Sequence, residues 1–427
     1  MKIAIIGAGI SGLGCAHALH REHAVTLFEA APRLGGHTNT VDVTLDGVTH
    51  PVDTGFLVYN ERTYPNLIRL FADLGVPTAK SDMSFAVSVP LGKGRQLEWA
   101  GSSLDTVFAQ RRNLLSPAFL SMLRDLLRFN REATAAAQGR LHSGDLSLGD
   151  FLDRQGYGEA FRRWYLLPMA GAIWSCPLET MLAYPAATFI RFCHNHGLLQ
   201  VNDRPQWFTV AGGARQYVER IAAQLADVRV DSPVLEVTRP AAGRAVAVRT
   251  RHGVEHFDHV VLASHSDQSL RVLADADADE RAVLSGVRYQ RNRALLHTDP
   301  RLMPASRKCW SSWNYLSSGG AEPDVAVTYL LNKLQPLPFE SPVFVSLNPL
   351  VEPRADALIA QFEYAHPVFD AGAILAQKRL PAVQGRRRVW LAGAWTGYGF
   401  HEDGLKSGLA VAEALRSLGR QSERLAA

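Results

Sequence analysis

KIAIIGAGISGLGCAHALHREHAVTLFEA, residues 2–30, is the stretch on which the fold turns. Its opening KIAIIG is a continuous apolar run with β-branched residues, as a buried parallel strand requires. Residues 10–21 (ISGLGCAHALHR) have the texture of a helix and 24–29 (AVTLFE) that of a second strand. Strand, glycine-rich turn, helix and strand make a βαβ unit, which closes as a right-handed crossover.

Gly7, Gly9 and Gly12 form G-x-G-x-x-G between that strand and that helix. The first glycine permits the tight turn, the second lets backbone approach a pyrophosphate, and the third lets helix and strand pack closely. With Ala8, Ile10 and Ser11 they offer free N–H groups and a positive dipole end to phosphates. The motif is weak alone; its place between strand and helix gives it meaning. Glu29, with Ala30 beside it, ends the second strand where an acid can hold a ribose diol and repel a 2′-phosphate. A solvated strand-end glutamate is the plainer alternative. Arg33, Gly35, Gly36 and His37 then allow a second close pass of backbone, with Arg33 reaching a phosphate or bracing the turn. This addition points to FAD rather than NAD.

Outward from this unit the texture changes. Residues 66–75 read as a helix stopped at Gly75, 81–99 as a hairpin broken by Gly92–Gly94, and 103–200 as mostly helical. A helix over 214–226 and strands over 228–239, 245–250 and 257–263 restore the α/β pattern. Aromatic-rich strands follow, then a last buried strand at 388–393 and a helix from Gly404 to Gly419. The expected fold class is α/β: a doubly wound, Rossmann-like FAD-binding domain interleaved with an α+β substrate domain. The expected division gives the first domain 1–80, 206–288 and 384–427, and the second 81–205 and 289–383.

The 427 residues suit two such domains, and 47% hydrophobic with 20% charged residues is ordinary globular composition. A net charge of +4 without a clustered basic stripe gives no reason to expect nucleic acid. Cys15, Cys176, Cys193 and Cys309 make no C-x-x-C pair, so reduced thiols used as small hydrophobes are expected and no metal site. No run of 18 apolar residues occurs and Lys2 leads straight into a strand. A cytoplasmic protein, or one peripheral to the inner face of the membrane, is the expectation; the oligomeric state is open.

The opening unit, the Arg-x-Gly-Gly turn, Asp53-Thr54-Gly55, Gly212-Gly213 and the C-terminal strand–loop–helix resemble the flavin-containing amine oxidase and phytoene desaturase superfamily. The resemblance implies that Thr54, Gly55 and Phe56 line the flavin and that Val234 meets the adenine through its backbone. It also implies that Gly393 approaches the ribityl and phosphate part, with Ala394 beside it where the family usually carries an acid on the ribityl chain. Glu402, Asp403 and Gly404 then close the site, with the helix N-terminus aimed at the flavin. VDTGFLVYNERTYPNL, FAQRRNLLSP, SSWNYL and GYGFHEDGLKSGL are similar to a narrower group, the NAD/FAD-binding proteins related to the N-terminal flavoprotein region of plant cyclopropane fatty acid synthases.

Two departures bear on chemistry. The covalent enzymes' cysteine is missing from 358–370 (LIAQFEYAHPVFD), so FAD is expected to bind non-covalently. The place of the amine oxidases' cage tyrosine falls on His401, a candidate acid/base or a residue that shapes the Gly-Tyr-Gly-Phe loop. His194 and His196 read as structural rather than metal-binding. In 117–131 (PAFLSMLRDLLRFNR), Leu120, Leu123 and Leu127 with Phe119 and Leu126 are expected on one face, and Arg124, Arg128 and Arg131 on another. That pattern suits peripheral membrane contact, or a core helix with a solvated basic face. The reading is an FAD-dependent oxidoreductase of a long apolar substrate, a lipid or fatty acyl chain. A double-bond isomerase, an amine or polyamine oxidase, and a non-catalytic partner of a lipid methyltransferase stay open beside it.

Overall fold

The computed structural model describes residues 1–140, 146–174, 181–200, 204–239, 245–319 and 324–426, without side chains after 420. Cys176 lies outside them. Five parallel strands form the first sheet, in the order Asp227–Arg229, Ala24–Phe28, Lys2–Ile6, His259–Leu262, Val389–Leu391. Period-2 alternation sends the two sides of the opening strand to different cores. Ile3 and Ile5 pack with Leu13, Ala16 and Leu19 of the helix Ile10–Leu19. Ala4 and Ile6 join Val237, Val248 and Phe257 of an antiparallel meander, Glu236–Thr238, Val246–Thr250 and Gly253–Phe257. Burial on both faces explains why this strand reads as an unbroken apolar run.

The C-terminal helix His401–Ala426 lies against Ile10–Leu19 at near backbone contact. A Cβ on Gly408 would sit 2.1 Å from the Ser11 carbonyl oxygen, and one on Gly404 would sit 2.8 Å from Ile10 Cγ2. The last helix is thereby fixed beside the first glycine turn.

The second sheet has seven strands: Leu358–Val368, Arg288–His297, Phe344–Leu347, Val325–Leu330, Trp313–Ser317, Phe85–Gly92 and Arg95–Ala100. Neighbours are antiparallel except Trp313–Ser317 beside Phe85–Gly92. The helix Leu167–Trp174 packs on the strand Trp313–Ser317 of this sheet, and Ala186–Asn195 packs on both Pro117–Ala137 and Leu148–Arg154.

Several elements differ from expectation. The strand expected over 228–239 is two strands in different sheets, because Asp231 turns left-handed (φ 47°) just before Ser232-Pro233. The last helix starts at His401, not Gly404. In Pro117–Ala137 the apolar residues do not share one face: Phe119, Met122, Phe129 and Ala133 are buried, whereas Leu120 and Leu127 point outward with Arg124 and Arg131. Arg128 leaves them and covers the Tyr157 ring at 4.0 Å.

Candidate active site

The glycine motif and the Arg33 turn meet at the carboxyl edge of the parallel sheet. Gly7 holds φ +107°, and a Cβ there would sit 2.7 Å from the Ala263 oxygen. No side chain caps the helix Ile10–Leu19, so its first-turn N–H groups face outward as a phosphate site requires. The Gly35 N–H donates to the Ala8 oxygen at 2.8 Å, and a Cβ on Gly36 would lie 3.2 Å from Gly9 Cα. Two backbone turns therefore stand side by side, too close for side chains between them, and both line the same cavity. Arg33 braces the second turn, its Nη1 donating to the Thr38 oxygen at 3.2 Å.

Glu29 is oriented by two backbone donors, Ala8 N–H to Oε2 at 2.8 Å and Ala31 N–H to Oε1 at 2.9 Å. Carboxylate oxygens hold further lone pairs, so both can still accept from a diol. The Ser232 N–H donates to the Glu29 carbonyl at 2.8 Å, which brings Val234 to the same edge.

From this edge a cavity of about 1660 Å³ runs into the second sheet. Ordinary ligand pockets hold about 300–1,000 Å³, so there is space for a dinucleotide and a further substrate. Gly7, Gly9, Ile10, Ser11, Glu29, Ala30, Arg33, Gly35, Gly36 and His37 line one end, together with Val234. Thr54, Gly55, Phe56, Gly393, Ala394 and His401 line the middle. The far end is apolar and aromatic: Met83, Ile173, Trp174, Phe192, Leu198, Trp207, Trp313, Tyr329 and Leu347. Trp313 meets Tyr329 edge-on at 4.8 Å, and Phe192 stacks on Phe400 at 5.1 Å.

Five expected contacts lie off this wall. Ala8 and Gly12 are packed behind it; a Cβ on Gly12 would come within 1.9 Å of the Gly7 oxygen. Glu402 turns away and caps the helix Pro65–Leu74, accepting from Asn66 N–H, Asn66 Nδ2 and Leu67 N–H at 2.7–3.0 Å. Asp403 accepts from the Phe400 N–H at 3.0 Å and so shapes the loop, burial pushing its carboxyl up to about 6. Gly404 is the helix-packing glycine described above.

His401 Nε2 lies 2.8 Å from the Tyr217 hydroxyl and 3.3 Å from Thr38 Oγ1. Its ring stacks on Phe56 at 3.9 Å and 12°. Burial pulls its pKa down to about 3, so the imidazole is neutral at pH 7. Four further imidazoles line the same cavity, His37, His196, His265 and His366, the last two unforeseen in the sequence. His37 stands 5.3 Å from His366 and 6.2 Å from His265, centroid to centroid. Burial, then mutual repulsion, holds His37 well below its ordinary value, and burial brings His366 to about 4. His366 Nδ1 meets Asn292 Nδ2 at 3.1 Å, and Tyr364 bonds Thr54 and Asn39 at 2.8 and 2.9 Å. Buried His37 Nε2 has no partner within the protein, which marks it as a donor or acceptor left for a ligand.

Asp53 serves the scaffold. Its carboxylate accepts from the Ala214 N–H at 2.9 Å and from Thr40 Oγ1 at 2.5 Å. Gly213 must be glycine beside it, since a Cβ would lie 2.6 Å from Thr40 Cγ2. The Asp-x-Gly turn and the Gly212-Gly213 pair are thus one junction, which sets Thr54–Phe56 on the cavity wall.

The sequence model of the flavin-containing amine oxidoreductases matches residues 10–290, two-thirds of the chain. The chain belongs to this family. It is a flavin-dependent oxidoreductase with FAD as its cofactor. Among solved structures, the flavoprotein is similar to cyclohexylamine oxidase from Brevibacterium oxydans, at 18% identity and a TM-score of 0.68 over 97% of this chain and 99% of that one. It is also similar to putrescine oxidase bound to putrescine, at 18% identity and a TM-score of 0.67 over 97% and 99%. A fatty acid isomerase from P. acnes that produces CLA matches at 17% identity and a TM-score of 0.65 over 96% and 98%. At these identities the likeness concerns the fold. No curated protein sequence matches the chain.

The residues present fit FAD. Side-chain-free turns leave a cradle at Gly7, Gly9 and Gly36, Glu29 is posed for a diol, and an uncapped helix N-terminus suits phosphates. No cysteine lines the cavity among the described residues.

Proposed function

We propose that this flavoenzyme oxidises a long apolar substrate, a fatty acyl chain, by hydride removal. The observation that carries the reading is the apolar end of the cavity. Its walls are aromatic and aliphatic, and the cavity's described carboxylates, Glu29, Asp267 and Glu363, lie elsewhere. Asp267 and Glu363 are exposed and paired with Arg271 and Arg291. An ammonium substrate entering the aromatic chamber would meet no counter-charge among the described residues, whereas an acyl chain would exchange water for matching apolar surface. The resemblance to the flavoprotein region of plant cyclopropane fatty acid synthases supports the same substrate class.

Bound FAD supplies the hydride acceptor. The chain's own residues hold it at the glycine turns and Glu29, and set Thr54, Gly55 and Phe56 beside the apolar chamber. His401 starts the C-terminal helix on the cavity wall, placing that helix's positive end where negative charge is best tolerated. The neutral imidazoles of His37, His366 and His401 keep fixed cationic charge out of the chamber, and the aromatic walls exclude water.

Anaerobic mixing of the yellow holoprotein with fatty acid or phospholipid tests the proposal. Bleaching of the flavin with acyl-chain oxidation is the expected result. Bleaching by polyamines alone would make it an amine oxidase. Acyl product formed with the oxidised spectrum unchanged, and no acceptor consumed, would make it an isomerase. Holoprotein inert to both substrate classes would refute the proposal.

A further inference from the structure

The outer face of the helix Pro117–Ala137 and the two short segments before it is unlike the rest of the surface. Leu120, Arg124, Leu127 and Arg131 recur at i, i+4, i+7 and i+11, which places them on one helical stripe. Leu120 is 44% exposed and Leu127 59%. Just ahead of the helix Leu115 is 88% exposed, and Leu104 is 79%; these are the two most exposed large hydrophobic residues among those described. Leu114 is exposed beside them. Single exposed leucines are ordinary, but five between residues 104 and 127 form a cluster that a soluble surface rarely carries.

The fold does not need them there. Phe119, Met122, Phe129 and Ala133 anchor the helix from its opposite face, and Ser116 caps its N-terminus. An ion pair from Arg111 to Asp105 and a 3.0 Å bond from Arg111 Nη1 to the Phe108 oxygen tie the preceding segments together.

Charge gives the face its partner. Arg111, Arg112, Arg124 and Arg131 are exposed among the leucines. Of the carboxylates nearby, Asp125 is buried, accepts from the Gly158 N–H at 3.0 Å and lies 3.3 Å from Arg124 Nη2; Glu132 accepts from the Tyr157 hydroxyl at 2.6 Å and lies 3.9 Å from Arg131 Nη2, so each arginine keeps donors free on its exposed side. Asp105, which is exposed, is held by Arg111 and Lys308. Protruding leucines with interleaved arginines suit an interface whose interior is hydrocarbon and whose surface is phosphate. No described helix is long and apolar enough to cross a membrane.

We propose that this face seats the protein on an anionic phospholipid surface, the leucines entering the acyl boundary and the arginines meeting the lipid phosphates. The helix packs on Ala186–Asn195, whose Phe192 lines the apolar chamber, so the docked surface lies one helix from the cavity. The inference stands on the surface alone and does not require an acyl substrate; vesicle binding and substrate oxidation are read separately.

Flotation of the holoprotein with vesicles tests it. Binding is expected to vesicles of phosphatidylcholine with phosphatidylglycerol, weaker binding to phosphatidylcholine alone, and release as salt rises. The triple variant Leu115→Ser, Leu120→Ser, Leu127→Ser should lower partitioning at least about tenfold, with flavin content and unfolding temperature unchanged. Arg124→Gln with Arg131→Gln should remove most of the preference for anionic lipid. No vesicle binding, or undiminished binding by the leucine variant, would overturn the proposal. So would self-association of the holoprotein that the leucine variant abolishes, because the face would then be a protein contact.

Discussion

His401 Nε2 lies 2.8 Å from the hydroxyl of Tyr217, a fully buried residue on a helix that also carries the Gly213 junction's load at its N-terminus. The tyrosine hydroxyl lies 2.5 Å from Thr38 Oγ1, so loop, helix and glycine turn share one polar knot. With its pKa pulled down by burial and its Nε2 engaged, the imidazole is expected to fix the loop rather than to deliver a proton as imidazolium. His401→Ala and Tyr217→Phe should each lower kcat by a similar factor while FAD stays bound. The double variant should cost less than the two effects summed, with a coupling of about 0.5–3 kcal/mol. Additive losses, or a new ionisation near pH 6 in the kcat profile of the native enzyme, would instead make His401 a proton carrier.

Gly7→Ala puts a methyl group 2.7 Å from the Ala263 oxygen at a backbone angle that suits glycine. Relieving that clash costs about 1–3 kcal/mol at the phosphate turn, enough to lower FAD affinity by about tenfold or more. Gly47→Ala is the matched control: it too has positive φ, but nothing lies within 4 Å of its Cβ. Gel filtration followed by the flavin-to-protein absorbance ratio should show depleted flavin for the first and full flavin for the second. Equal retention in both would mean that the first glycine turn is not a cofactor contact.

Asp53→Ala removes the acceptor of the Ala214 N–H and Thr40 Oγ1 inside a buried junction. Leaving those donors unpaired costs about 1–3 kcal/mol, read as a lower denaturation midpoint in urea. Because Asp53 touches the cavity only through Thr54–Phe56, the variant should still take up FAD when folded. An unchanged midpoint would show that water replaces the carboxylate freely.

The parallel sheet was legible because both its faces are buried, which leaves long apolar runs such as IAII and HVVL whose meaning needs no distant partner. The glycine turns and Glu29 were legible for a related reason: close backbone approach leaves a residue-type signature at fixed spacing. His366 was not, since its strand Leu358–Val368 is placed through pairing with Arg288–His297, a register that no local pattern encodes; His265, just before the helix Ser266–Val272, comes to His37 through the pairing of His259–Leu262 with Lys2–Ile6, which is equally non-local. Glu402 misled for the opposite reason. Its neighbours in sequence belong to the cavity loop, but a helix points successive side chains in different directions, and this one points at Pro65–Leu74. The leucines of Pro117–Ala137 were expected together on one face, suited either to a membrane surface or to the core; that they divide, with Leu120 and Leu127 outward, shows only once the buried face is known.

Stability should fall as pH drops from about 6.5 towards 4. Burial depresses the folded-state pKa of His17, His23, His37, His265 and His366, of His401 to about 3, and of His196, His259 and His297 to about 4. Below pH 6.5 the unfolded chain therefore binds protons that the folded chain refuses, and stability declines until the folded pKa values are reached. Asp53 and Asp403 oppose this, because burial raises each to about 6 and the folded state takes up their protons first between about pH 6 and 4. Nine depressed histidines outweigh two raised aspartates, so the unfolding temperature should decrease across that window. The His401→Asn variant removes one of the nine and should flatten the slope slightly, whereas Asp53→Asn should steepen it. Calorimetry of the holoprotein at a series of pH values decides the matter: an unfolding temperature that holds steady or rises between pH 6.5 and 4.5 would mean that the imidazoles are hydrated and titrate normally in the folded state.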